Sequence, residues 1–313
     1  MLDEIIGAHP AIKRFRRQLP LIANSSTPLL FIGETGVGKT FLATHVHAAG
    51  PMGNVPLESL NCANLSERDQ RVGLFGGEPP VLTTWRRGIL ELKTTVILKH
   101  LDCASAFIQD IVANSLMTST VYRPSSSKQI PLSAKVIFTF RSPIPELELK
   151  KRLSPKLLHL LNPLKRIHIP SLRKRREDIP LLTRHHALKC FHKYDTLGDV
   201  SIRGIDRNGS MDSDLLDLLK SQHWEENIRE LQAFLRTLVL LPFKEELLER
   251  EKLELAMMMM MIEAGQEFSL PSRLARAERS LVERAVKKLN RHKVKVAQLL
   301  GISHRAFTRK MGL

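Results

Sequence analysis

Apolar residues in the first half of the chain come in short unbroken runs set between turn residues and longer mixed segments. Thr27-Pro-Leu-Leu-Phe-Ile-Gly33, Thr95-Val-Ile-Leu98 and Ala134-Lys-Val-Ile-Phe-Thr-Phe140 read as buried strands bounded by Pro, Gly or polar residues. Lys39–Ala48 follows a glycine-rich turn and reads as a helix. Buried strands separated by helical stretches predict an α/β fold with a parallel sheet covered by helices.

From Ser171 the texture changes. Ser171–Leu182, Leu215–Leu219 and Asn227–Leu241 carry helical spacing and no strand signal, which predicts a small helical domain. The polar stretch from Gly198 to Gly209 reads as a loop. The run Met257–Met261, followed by Gly265 and Pro271, reads as a packing helix and then a linker. The expected organisation is an α/β unit over 1–172, a helical unit over 173–250, a linker over 251–275 and an all-α module over 276–313.

Composition narrows the class. At 43% hydrophobic and 26% charged residues, the 313-residue chain is too apolar to be disordered. No run of uncharged apolar residues is long enough for a membrane-spanning helix, and the N-terminus lacks the layout of a signal peptide. Cys62, Cys103 and Cys190 are expected as buried thiols in a reducing cytoplasm. The His185-His186 pair with Cys190 and His192 is expected to serve packing and solvent rather than zinc.

The net charge of +16 favours an anionic partner. Between Arg276 and the C-terminus, eleven cations face only Glu278 and Glu283, so over half of the excess lies in the last module. There Leu281, Ala285 and Leu289 share one helical face, Val294–Leu300 begins a second helix, Gly301 allows a turn and Ser303 caps a third. His304-Arg-Ala-Phe-Thr-Arg-Lys-Met311 is then placed to enter the major groove of double-stranded DNA. Ser303, His304, Arg305 and Thr308 stand at the groove, and Lys293, Lys295, Arg309 and Lys310 suit phosphates.

Gly33-Glu-Thr-Gly-Val-Gly-Lys-Thr40 satisfies the P-loop pattern in its required setting, after a strand and opening a helix. Glycines let backbone N–H groups turn onto phosphates, and the helix N-terminus adds its dipole. The expected ATP site is therefore Gly33, Glu34, Thr35, Gly36, Val37, Gly38, Lys39 and Thr40. Lys39 reaches the β and γ phosphates, and the Thr40 hydroxyl is the expected contact to nucleotide-bound Mg²⁺.

Several segments occur together and in order: Ile6–Ile12, Gly33–Thr40, Asn61-Cys-Ala63, Leu74-Phe-Gly76, Ser171–Leu182 and Trp224–Leu231. They resemble the AAA+ domain of bacterial enhancer-binding proteins, the activators of sigma-54 RNA polymerase. Ala297–Ser303 resembles the Fis-type helix-turn-helix that ends such activators. The resemblance implies an AAA+ P-loop NTPase fold with a helical lid and a C-terminal helix-turn-helix domain. It also implies a cytoplasmic homo-oligomer, with sigma-54 RNA polymerase as candidate partner and no membrane. The chain begins at the ATPase domain, so the sensory domain that many relatives carry first is expected to be missing. Arg229 matches the lid arginine that reaches the nucleotide in the family.

Other positions depart from the family pattern. Its sigma-contacting Gly-Ala-Phe-Thr-Gly-Ala loop is not recognisable within Gly76–Gly88. Its Walker B strand ends in Asp-Glu, whereas here Lys99-His100 follows Thr95–Leu98. Asp102 is a candidate Mg²⁺ ligand but is expected past the strand end, and His100 is expected at the surface. Arg141 stands where relatives carry an Asn that senses the γ-phosphate, and Arg152 is the candidate arginine finger. Binding parts persist while hydrolytic parts are altered. The expectation is a DNA-binding regulator that binds ATP with impaired hydrolysis and impaired sigma remodelling. The alternatives are an active ATP-hydrolysing sigma-54 activator with Mg²⁺ on Asp102, and an ATPase loader for DNA transactions outside transcription.

Overall fold

The computed structural model describes residues 5–77, 87–121, 130–194, 205 and 209–240. Five strands form one all-parallel sheet: β1 (Leu29–Ile32), β2 (Glu58–Asn61), β3 (Thr95–Lys99), β6 (Lys135–Phe140) and β7 (Arg166–His168). Their order across the sheet is β2-β3-β6-β1-β7. Thr120–Val121 (β4) and Ile130–Pro131 (β5) make a separate antiparallel pair.

The continuous apolar runs follow from burial on both faces. Leu30, Ile32, Val96, Leu98, Val136, Phe138 and Phe140 point into one core cluster, together with side chains from α3 (Glu67–Phe75), α4 (Ala106–Thr118) and α6 (Pro155–Leu161). The alternate residues Leu29, Phe31, Ile97 and Ile137 point into the other, against α1 (Pro10–Asn24) and α2 (Lys39–Ala48). α1 shows why the amphipathic reading works. Ile12, Phe15, Leu19 and Ile22 are its buried stripe, and the Lys135 ammonium donates to the carbonyls of Ile22 and Ala23 at its C-terminal end.

Two strands of the five-stranded sheet escape the sequence pattern. β2 and β7 flank the sheet and are largely solvent-facing, so neither carries an apolar run. Ser171–Leu182 is corrected in part. Two 3₁₀ turns, Leu172–Lys174 and Arg176–Asp178, come first, and the helix α7 (Ile179–Tyr194) starts only after them. α8 (Ser213–Ser221) and α9 (Asn227–Leu240) complete the described helical part, with α9 packed on α7. Among the described residues no helix is long and apolar enough to cross a membrane. The chain divides into two units, residues 1–252 and 253–313. The linker, Met257–Met261 and the whole 276–313 module, including every DNA-contacting candidate, lie outside the described residues.

The expectation of three buried thiols holds for Cys62. Cys103 is exposed and Cys190 is half-buried. Cys103 lies in the 3₁₀ turn that follows β3, at the sheet edge where the site lies.

Candidate nucleotide site

β1 is the strand on which the connections of the sheet diverge, with β6 on one side and β7 on the other, the position where α/β sheets open a crevice. The loop after it starts with the Gly33 N–H donating to the Phe140 carbonyl at 3.2 Å. Gly36 and Gly38 adopt φ of +76° and +101°, values that side chains with a Cβ disfavour. Gly38 is the N-cap of α2, which has no side-chain cap and no acid in its first turn, so its amide dipoles suit an anion. The Lys39 side chain is buried against the loop, donating to the carbonyls of Gly33 at 2.7 Å and Glu34 at 2.8 Å. Burial, with Arg141 and Arg229 nearby, brings its pKa down to about 8. Thr40, next in the helix, is exposed.

The ends of β3 and β6 bring the altered residues beside this loop. Lys99 is in register with Thr139, and Phe140 with Ile32, so the three strand ends are adjacent. His100 takes a left-handed φ of 54° and donates its N–H to the Thr139 carbonyl at 3.1 Å. It is half-buried rather than a surface residue, and burial lowers its pKa against the pull of Asp102, helped by the charges of Lys39, Arg141 and Lys99. Arg141 Nε donates to Thr35 Oγ1 at 2.8 Å, tying the residue after β6 to the phosphate loop. A cavity of about 510 Å³ opens here, lined by Thr35, Asn61, His100, Asp102, Arg141 and Arg152 among others. Asp102 lies in the 3₁₀ turn beyond the strand, with Oδ1 buried and without a hydrogen-bond partner. Arg152 Nη2 lies 3.5 Å from Cys103 Sγ.

The lid side closes on the same loop. Asn227 is fully buried with φ of 57°, donates its amide to the Thr35 carbonyl at 2.8 Å, and accepts the Leu172 N–H on Oδ1 at 2.7 Å. The Ile228 N–H donates to the Gly36 carbonyl at 3.1 Å. Arg173 makes a two-pronged pair with the Glu34 carboxylate, which holds that carboxyl below its usual range. Arg175 Nη2 donates to the Val37 carbonyl at 2.9 Å, and its Nη1 lies 3.7 Å from Asp178 Oδ2. The other Asp178 oxygen accepts the N–H groups of Ala8 and His9 at 2.5 and 3.0 Å. Arg229 sits at this junction, half a turn into α9, paired with Glu226 at 2.9 Å and largely exposed.

The profile of the Sigma-54 interaction domain matches residues 5–167, more than half of the chain. The chain belongs to this family. A second profile, the AAA+ ATPase lid domain, matches residues 173–267. The transcriptional regulatory protein ZraR of Escherichia coli K12 is 28% identical over 312 residues, covering 98% of this chain and 68% of that protein. The anaerobic nitric oxide reductase transcription regulator NorR of Aeromonas salmonicida is 31% identical over 234 residues, covering 73% of this chain and 44% of that protein. Crystallised NtrX from Brucella abortus, in complex with ATP, shares the fold, with a TM-score of 0.67 at 20% identity over 99% of this chain and 68% of that one.

The family is one of sigma-54-dependent transcriptional activators with AAA+ domains, and ATP is the ligand with which NtrX, of the same fold, was crystallised. The Mg²⁺ that usually accompanies it fits the residues poorly. The exposed Thr40 hydroxyl is suitable, but the end of β3 carries Lys99, an ammonium. Glu34 is committed to Arg173, and the charges acting on Lys39 are those of Arg141, Arg229 and Glu34, with Asp102 not among them. Among the described residues no cluster of three or more His, Cys, Asp or Glu is arranged to hold a metal.

The eight P-loop residues were legible from their motif. Asn227, Arg173 and the Arg175–Asp178 pair were not singled out, although all lie in the segments that carried the family resemblance. Their roles depend on contacts across more than a hundred residues, which periodicity does not register. The sigma-contact region falls mostly at 78–86, outside the described residues. Its described flank Gly88 packs on the backbone of Leu74–Gly76, where a Cβ would lie 2.4 Å from the Leu74 carbonyl.

Proposed function

We propose that this protein is a DNA-binding transcriptional regulator of the sigma-54 activator type that binds ATP and hydrolyses it slowly or not at all. The observation that carries this reading is the pairing of a complete phosphate loop with Lys99-His100 at the end of β3. Phosphoryl transfer needs a positioned cation, a positioned water and stabilisation of the developing charge. A lysine cannot ligate a metal, and Arg141 replaces a neutral polar side chain with a charged one.

ATP lies along Gly33–Gly38, with Lys39 on its phosphates and Arg229 approaching from the lid. The lid segment Trp224–Arg229 touches the phosphate loop directly, so occupancy of the loop is felt by the lid. Nucleotide occupancy thereby governs oligomeric state or affinity for DNA. The basic 276–313 module supplies the DNA contacts, through Ser303, His304, Arg305 and Thr308 at the groove and Lys293, Lys295, Arg309 and Lys310 on phosphates. Action is cytoplasmic, as a homo-oligomer.

The competing reading is an ATP-hydrolysing activator that remodels the sigma-54 holoenzyme, with Asp102 serving Mg²⁺ and Arg152 as finger. It is favoured by the buried, unpartnered Asp102 Oδ1 on the cavity that also holds Thr35 and Arg152. One experiment separates the two: ATP binding and hydrolysis on the same sample, with Lys39→Ala as control. Lys39-dependent binding without turnover supports the first reading. Turnover on the order of 1 s⁻¹ supports the second.

A further inference from the structure

The poor fit of Mg²⁺ leaves open what balances the charge of a bound polyphosphate, and the strand ends answer it. β3, β6 and β1 are neighbours, with Lys99 opposite Thr139 and Phe140 opposite Ile32. Strands lie about 4.8 Å apart, so the start of the phosphate loop and the stem of Lys99 are separated by roughly 10 Å. A lysine side chain spans about half of that, and a polyphosphate lying on the loop fills the remainder. Arg141, at the end of the middle strand, is already bonded to Thr35 of the loop. Lys99 follows Ile97 by two residues and so shares the β3 face that packs against Val37 of the loop and Leu42 of α2, the side on which Lys39 opens its helix and Arg141 meets Thr35. Of the acids nearby, Glu34 is taken by Arg173, and Asp102 lies on the turn beyond β3. Arg141 bears on Lys39, and Lys39, Arg141 and Lys99 all bear on His100, as cations do where an anion is wanted.

We propose that this site binds the polyphosphate of a nucleoside triphosphate without a divalent cation, Lys99 and Arg141 joining Lys39 to supply the positive charge that Mg²⁺ supplies elsewhere. The inference rests on the nucleotide-binding reading above and adds the ionic form of the ligand: free ATP rather than its metal complex. Fixed ammonium and guanidinium groups neutralise phosphate oxygens but do not organise an attacking water. The same substitutions therefore favour retention of the nucleotide over its cleavage.

The test is calorimetric titration of the full chain with ATP, once in excess EDTA and once in excess MgCl₂. ATP is expected to bind in EDTA at least as tightly as in MgCl₂. Lys99→Met is expected to weaken binding in EDTA about tenfold, the loss of one charge-assisted contact, with no rescue by MgCl₂. Lys99→Asp is expected to weaken it similarly in EDTA and to regain affinity when MgCl₂ is added. Binding by the unaltered chain only in MgCl₂ overturns the proposal and leaves the nucleotide reading standing. Unchanged affinity in EDTA for Lys99→Met also overturns it. Absence of binding in both buffers, from a chain that melts cooperatively, overturns both readings.

Discussion

Asn227 donates its side-chain amide to the carbonyl of Thr35, 192 residues away in the chain, at 2.8 Å. Its Oδ1 at the same time accepts the Leu172 N–H, so one fully buried side chain joins the phosphate loop, the segment entering the lid and the first residue of α9. Asn suits the place for a second reason, since its short polar side chain tolerates the left-handed backbone that it adopts here.

Replacing it strands two backbone groups, the buried N–H of Leu172 and the part-buried carbonyl of Thr35. Asn227→Ala is expected to destabilise the fold by about 2–4 kcal/mol, since each unsatisfied group costs about 1–3 kcal/mol. Asn227→Asp keeps the acceptor for Leu172, loses the donor to Thr35 and sets a second carboxylate beside Glu34. It is expected to lose ATP affinity as well. Urea unfolding and ATP titration of the two variants check both statements, and equal ATP affinity in all three proteins speaks against the lid–loop coupling.

At Gly36 the loop and the lid leave no room for a methyl group. A Cβ there would fall 1.8 Å from the Glu226 carbonyl oxygen, on a backbone with φ of +76°. Gly36→Ala therefore forces the lid segment away in addition to backbone strain of about 1–2 kcal/mol. The expected result is a loss of the ATP-induced rise in melting temperature, together with faster proteolytic release of α9.

The buried Arg175–Asp178 pair fastens the N-terminal segment, the phosphate loop and the lid entrance together. Asp178→Ala leaves a buried guanidinium unpaired and is expected to cost about 3–5 kcal/mol. The double variant Asp178→Ala, Arg175→Met is expected to recover part of this. Full recovery is not expected, because the amides of Ala8 and His9 stay without their acceptor. A double-mutant cycle in urea measures the coupling between the two.

His186, on α7, is held neutral: burial, with His185, Lys189 and Arg236 adding to it, brings its pKa down to about 4. In the unfolded chain it titrates near 6.5. The unfolded state therefore takes up the proton first, and the contribution to stability is fully present above pH 6.5 and declines as the pH falls towards 4. His186→Gln is expected to flatten the pH dependence of the melting temperature across this window. Its ring lies 3.2 Å from the Gln232 amide on α9, so the effect reports on the α7–α9 contact. An unchanged slope in the variant argues against this origin.

The sequence made plain those features that depend on neighbours in the chain. β1, β3 and β6 were legible because each is buried on both faces and so reads as an apolar run. β2 and β7, at the sheet flanks, have no such run and are defined by pairing with distant strands. In the site, the loop Gly33–Thr40 and the departure at Lys99 could be read directly. The half-burial of His100 could not, because it comes with the left-handed turn after β3, where its N–H bonds the Thr139 carbonyl of the neighbouring strand. The 3₁₀ turns before α7 carry a helical pattern in the sequence for a similar reason: Leu172, Ile179 and Leu182 are buried at spacings that a helix would also give.

The contact of Gly36 with Glu226 also bears on how such a chain can diverge. A phosphate loop with a side chain at position 36 requires a lid that approaches along a different path. A loop that carries a side chain at this position is therefore expected to fail in this chain, even when every residue touching the phosphates is retained, unless the lid segment that meets it is exchanged with it.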